Sequence, residues 1–161
     1  MAMEIERKFL VRKERLPALE AGERFVQGYL CNDPEVRFRI VGRRVVLCVK
    51  KRLSARQRIE VEFPREDVSA KEIGALRELA LWPPLVKVRH RVPFGGLVWE
   101  VDVYEEANAG LVTAEVEIPA LDHPIDFPPW IDSANEVTGS KLYANISLTK
   151  RPYGTWEKDE G

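Results

Sequence analysis

The feature that most constrains this chain is a two-residue alternation that recurs segment after segment, charged on one parity and apolar on the other. In Met3-Glu4-Ile5-Glu6-Arg7-Lys8-Phe9-Leu10-Val11, read as a strand, Glu4, Glu6 and Lys8 share one face. Ile5, Phe9 and Val11 share the other, with Arg7 the exception. Residues 35–41 set Arg37 and Arg39 against Val36, Phe38 and Ile40. Residues 56–63 set Arg56, Arg58, Glu60 and Glu62 against Ile59, Val61 and Phe63. The same pattern runs through 86–92 with Lys87, Arg89 and Arg91, 97–104 with Glu100 and Asp102, and 111–118 with Glu115 and Glu117. With 24–31 and with 44–51, which carries Lys50, the spacing predicts eight strands.

Helical spacing is clearest at 69–81, where Ser69 and Glu72 form a capping box and Pro83-Pro84 prevents continuation. Shorter helices are expected at 13–21, 130–135 and 140–148. Strands follow one another without a βαβ rhythm. The expected fold is therefore mainly β (α+β): an eight-stranded antiparallel β-barrel tunnel or curled sheet with flanking helices. One domain over 1–150 and a polar, fraying tail at 151–161 complete the expectation.

A length of 161 residues suits one domain that needs no metal or disulfide staple. Charged residues make up 32% of the chain, yet the net charge is −1, which speaks against a nucleic-acid surface. No apolar run approaches 20 residues, and no leader precedes the first strand, so no membrane association is expected. Cys31 and Cys48 have no metal-ligand spacing. A soluble cytoplasmic protein with reduced thiols follows. The apolar outer face permits a homodimer without requiring one.

The bland reading of the charged parity is a sheet with one wet face. Segregation of sign by strand argues for more. Arg37 with Arg39, and Lys87 with Arg89, repel each other unless an anion lies between them; Glu100 with Asp102, and Glu115 with Glu117, call for a cation. Polyphosphate satisfies the bases, and Mg²⁺ or Mn²⁺, hard ions that prefer oxygen, satisfy the acids. Dry burial of so many charges would be prohibitive, so this face must enclose water and ions.

In chain order, Glu4-x-Glu6-x-Lys8, Gln27-Gly28-Tyr29-Leu30, Arg37-x-Arg39, Lys50, Arg58-x-Glu60-x-Glu62, Lys87-x-Arg89, Glu100-x-Asp102 and Glu115-x-Glu117 resemble the triphosphate tunnel metalloenzyme, or CYTH, family. Trp130, Glu136-Val137-Thr138 and Tyr143-x-Asn145 resemble its C-terminal pattern. The likeness covers about residues 3 to 150. It implies hydrolysis of a triphosphate with divalent metal, two ions of Mg²⁺ or Mn²⁺. By resemblance, Lys8, Arg37, Arg39, Lys50, Arg58, Lys87 and Arg89 bind phosphates. Glu4, Glu6, Glu60, Glu62, Asp102, Glu115 and Glu117 form the metal-binding pool. Lys8 positions the attacking water or takes its proton, and Tyr29 either bonds Lys8 or that water or is a buried strand tyrosine. Glu100 is expected in salt bridges within the tunnel, and Arg56 and Arg91 rank lower, near strand ends.

The expected substrate is inorganic tripolyphosphate, cleaved to pyrophosphate and phosphate. The alternatives are a nucleoside or thiamine triphosphatase of the same family and a non-catalytic polyphosphate-binding module. The eight acids argue against a mere binder. A cyclase is disfavoured because the His-Phe element that resemblance would place before the first acidic strand is missing.

Overall fold

The computed structural model describes residues 5–53 and 58–156, Arg58 through its backbone alone. The alternating stretches form β1 (Glu6–Val11), β2 (Glu23–Asn32), β3 (Glu35–Val41), β4 (Arg44–Arg52), β5 (Arg58–Arg65), β6 (Leu85–Phe94), β7 (Leu97–Glu105) and β8 (Val112–Glu117). A ninth strand, β9 (Ile131–Glu136), stands where a helix was expected at 130–135. The free edge of β1 captures it: Val11 pairs with Ile131, Leu10 with Asp132, and the Val137 N–H donates to the Lys8 carbonyl at 2.8 Å. So short a helix is marginal on its own, and pairing wins.

Two α-helices form, α1 (Ala70–Leu79) and α2 (Asn145–Lys150). The helix expected at 13–21 is reduced to a 3-10 turn, Lys13–Arg15. Pro17 accounts for this, since it cannot donate the hydrogen bond a helix interior needs. Ser69 caps α1 as expected, its Oγ accepting from the Glu72 N–H at 3.1 Å.

The strands make one antiparallel sheet in the order β5-β4-β3-β2-β6-β7-β8-β1-β9. Closure of eight strands into a barrel would require β1 to pair with β5. Instead β1 has β8 on one edge and β9 on the other, so the sheet curls without closing.

The dry core lies on the outer side of the sheet. Phe9, Trp99, Val101, Ala114, Val116, Trp130 and Ile131 are buried there, under Phe127 and Ile125. Phe9, Trp99, Phe127 and Trp130 pack with ring centroids 5.3 to 6.1 Å apart. Trp130 is thus a core residue. On the other half, α1 lays Ile73 and Leu76, and Ala80 just after it, over Val26, Phe38, Ile40, Val45 and Val86. Gly28 is required here: a Cβ at this position would meet the Phe38 ring at 2.3 Å. Beyond α1, the edge strand β5 leaves Val61 and Phe63 exposed.

One end of the inner face turns apolar. Leu10, Leu85 and Tyr104 share parity with Lys8, Lys87 and Asp102, and they pack with Leu111 and Leu148 of α2. Residues 151–156, expected to fray, instead carry a 3-10 turn, Tyr153–Thr155. Tyr153 and Trp156 join this cluster, their rings 5.0 Å apart, because two aromatic side chains gain more by burial than by solvation.

Replacing Trp99 by Ala should cost about 3–5 kcal/mol of unfolding free energy in urea titration, the range for truncating a buried aromatic. A loss under about 1 kcal/mol would contradict this account of the core.

Candidate active site

The inner face encloses a cavity of about 390 Å³ to which each of β1–β8 contributes a charged or polar side chain. Alternation makes this possible, because residues i, i+2 and i+4 of one strand look the same way. Lateral order then sorts the signs. Glu60 and Glu62 of β5 stand at one flank. Lys50 of β4, Arg37 and Arg39 of β3, and Arg89 and Arg91 of β6 fill the middle, interrupted by Glu35 of β3 and Tyr29 of β2. Glu100 of β7, Glu115 and Glu117 of β8, and Glu6 and Lys8 of β1 make the other flank. A basic strip thus lies between two acidic ones, facing one space.

Cross-strand pairing ties the strips together. Lys50 sits opposite Glu60, with Nζ 3.7 Å from Oε2. Lys8 sits opposite Glu115, with Nζ 3.8 Å from Oε1, and it donates to the Tyr143 carbonyl at 2.9 Å. Both partners are acceptors, an arrangement suited to an ammonium that binds or positions. Glu6 and Glu117 are paired across β1 and β8.

Beneath the cavity floor lies a buried hub. Asp102 is fully buried and accepts from Lys87 Nζ at 2.8 Å, Arg89 Nε at 2.8 Å and Arg89 Nη2 at 2.9 Å. Arg89 also donates to Glu100 at 3.0 Å, the salt bridge expected for Glu100. Burial alone would raise the Asp102 pKa, but Lys87 and Arg89 outweigh it and hold the carboxyl well below the ordinary range. Burial lowers Lys87 to about 7 despite Asp102. Burial would also lower Arg89, but its bonds to Asp102 and the nearby acids raise it.

A second network fixes the middle strip. Tyr29 is buried; its hydroxyl accepts from Gln27 Nε2 at 3.0 Å, and Gln27 Oε1 accepts from Arg39 Nε at 3.2 Å. Burial pushes the Tyr29 phenol up to about 12, so it stays an O–H donor. Arg39 is lowered to about 10 by burial and by the like charges of Arg37 and Arg89. Among the described residues, the buried Nε of Arg37 has no hydrogen-bond partner. Such a donor, aligned with other cations, suits an anion.

Glu60, Glu62 and Cys48 bring one ligand atom each to within 4.8 Å of one another. Cys48 donates from Sγ to Glu60 Oε1 at 3.3 Å, and burial raises the thiol to about 11. That leaves the carboxylates as the ready donors, a set that fits a hard divalent ion.

Of the residues singled out in the sequence, the cavity gathers Glu6, Lys8, Tyr29, Arg37, Arg39, Lys50, Glu60, Glu62, Arg89, Glu115 and Glu117. Lys87 and Asp102 share the parity but are sealed below it, each with 0% side-chain exposure. Alternation gives the face and not the depth. Glu4 and Arg56 lie outside the described residues, as does the Arg58 side chain. Arg91, ranked lower in the sequence, is in the lining, as are Glu35 and Asn145. Glu35 shares the parity of Arg37 and Arg39, a signal masked by its place beside the Pro34 turn. Asn145 is fixed by the Tyr104 hydroxyl, which donates to its Oδ1 at 2.6 Å. No sequence periodicity points to it.

A curled antiparallel sheet with charged residues of both signs on its inner face is the architecture of a triphosphate tunnel protein. The CYTH domain family matches residues 2–153, and the chain belongs to it. It is 36% identical over 160 residues to a protein of Acetivibrio thermocellus named inorganic triphosphatase, covering 98% of this chain and 100% of that one. Among solved structures, the inorganic triphosphatase NE1496 aligns with a TM-score of 0.67 at 28% identity, covering 92% of this chain and 95% of that one. A conserved hypothetical protein from Pyrococcus furiosus aligns at 0.51 and 20% identity over 74% of this chain and 80% of that one, a likeness of fold. Among the described residues, no helix is long and apolar enough to cross a membrane.

The hub has a pH signature. Between about 7, where folded Lys87 loses its proton, and the ordinary lysine value of 10.5, the unfolded chain holds a proton that the folded one has released. This group's contribution to folding stability therefore rises with pH across that window. The difference in unfolding free energy between wild type and Lys87→Met should grow from pH 7 to pH 10 in parallel urea titrations. A pH-independent difference would refute it.

Proposed function

We propose that this protein is a divalent-metal-dependent triphosphatase that hydrolyses inorganic tripolyphosphate to pyrophosphate and phosphate. The observation that carries this reading is the basic strip between two acidic strips, all facing one cavity. A chain of phosphates fits the first and divalent cations fit the others. The names of the relatives from Acetivibrio thermocellus and of NE1496 support the same reaction.

In this reading Arg37, Arg39, Lys50, Arg58 and Arg89 bind phosphate oxygens, the arginines by paired donors. Glu60 and Glu62 on one flank, and Glu6, Glu115 and Glu117 on the other, with Glu4 beside them in sequence, hold Mg²⁺ or Mn²⁺, two ions for two flanks. Bound metal supplies neutralisation of phosphate charge and a water of lowered pKa. Lys8 presents its ammonium to the terminal phosphoryl group or to the attacking water. Tyr29 adds a neutral hydroxyl donor to the strip. As the terminal P–O bond breaks, pyrophosphate leaves with its growing charge held by the arginines. Lys87 and Asp102 act from below, by orienting Arg89, rather than on substrate or metal.

Inorganic tripolyphosphate is favoured over an organic triphosphate by the polar lining. Among the described residues that line the cavity, Tyr29 is the one aromatic, and it is only 2% exposed. That leaves little ring surface on which to stack a base or thiazolium. A cytoplasmic setting suits the free thiols of Cys31 and Cys48.

Phosphate release should be seen from tripolyphosphate with Mg²⁺ or Mn²⁺, be lost in EDTA, and be slower from ATP and thiamine triphosphate. Glu62→Gln should cut kcat by at least about 100-fold, the scale lost with one preorganised electrostatic group. Tight tripolyphosphate binding without turnover would replace the enzyme with a binding module.

A further inference from the structure

We infer that Phe25 is a positioning residue for the phosphate-binding guanidinium groups, and that it sets the affinity of the cavity for polyphosphate before any metal is bound. This rests on the reading of the basic strip as a polyphosphate site. Phe25 belongs to β2, two residues before Gln27 and four before Tyr29, so its ring looks toward the inner face. It is 5% exposed and lies outside the cavity lining. Three basic side chains gather on it: the Arg39 guanidinium carbon lies 4.6 Å from the ring centroid, that of Arg89 5.4 Å, and Lys87 Nζ 6.0 Å.

Their other partners differ. Lys87 and Arg89 are both bonded to Asp102, and Arg89 also to Glu100. Arg39 has a neutral partner, Gln27, at its Nε, and among the described residues no carboxylate forms an ion pair with it. Its neighbours Arg37 and Arg89 push against its charge. A carboxylate in the position of Phe25 would hold Arg39 equally firmly. It would also cancel the charge and occupy the N–H donors that a phosphate needs. An aromatic face attracts a cation through its quadrupole and bonds to none of its donors in the guanidinium plane. Phe25 therefore fixes Arg39 beside Arg89 while leaving both terminal nitrogens of Arg39 to the ligand. The arrangement pays the ordering entropy of a long side chain in advance, which is how preorganisation raises affinity.

The test is calorimetric titration of wild type, Phe25→Leu and Phe25→Tyr with tripolyphosphate in EDTA, where hydrolysis does not interfere, alongside melting temperatures. Leu retains the apolar bulk and removes the ring; Tyr retains the ring. Phe25→Leu should weaken binding about tenfold, the scale of one desolvated cation–π contact. Phe25→Tyr should stay within about twofold of wild type. Should Phe25→Leu fail to fold, Phe25→Met carries the same comparison. Equal affinity of all three overturns the inference, as does equal loss in the Leu and Tyr variants, which would make Phe25 mere packing. Wild type that does not bind tripolyphosphate in EDTA also overturns it. The triphosphatase reading is decided separately, by turnover with Mg²⁺: binding without turnover removes that reading and leaves the role of Phe25 standing.

Discussion

An ionised side chain cannot be left dry and alone, and this fold is arranged around that constraint. A conventional small barrel fills its interior with apolar side chains. Here the interior face carries the charges, so the apolar core has to be built elsewhere. It lies on the outer side of the sheet, where α1 covers one half and the segment around Ile125, Phe127 and Trp130 covers the other. The inner face is left to water, ions and substrate, except at one end, where α2 and the aromatic side chains that follow it pack on Leu85 and Tyr104.

Asp102 shows how the wet and dry regions are joined. It accepts a hydrogen bond from Lys87 and uses its remaining acceptor capacity on Arg89. Arg89 therefore has one edge anchored in the hub and reaches the cavity with the rest of its side chain. A buried pair of this kind gives little net stability when compared with apolar packing. Its use is geometric: together with Glu100 at the cavity wall, it fixes where the Arg89 guanidinium stands. The Tyr29–Gln27 pair does the same for Arg39 with neutral groups.

The strands were legible because a period of two over six or more residues leaves few alternatives, and the site was legible because the same period carried the charges. The sequence did not reveal depth. Lys87 and Arg89 are two residues apart on one face, yet one is sealed and the other lines the cavity. What separates them is register: Lys87 lies opposite Tyr104, while Arg89 lies opposite Asp102, toward the wet end. Lateral pairing of that kind is set by the whole sheet. The ninth strand was hidden for a related reason. Ile131–Glu136 shows no alternation, and only the unpaired edge of β1 makes it a strand. A helix was likewise expected at 13–21, where the chain makes only a 3-10 turn at Lys13–Arg15 ahead of Pro17.

The split between the two sides of the sheet has an evolutionary consequence. Most positions of one parity maintain the fold, and many of the other line the cavity. Substitutions in the cavity can therefore accumulate with limited damage to the core, and one scaffold can explore different anionic substrates. The same partition makes the chain intolerant of a different kind of change. Insertion or deletion of a single residue within a strand would exchange the two sets beyond that point, turning core into water and charge into core at once. Divergence in such a family should thus proceed by substitution within strands, with length variation confined to the connections.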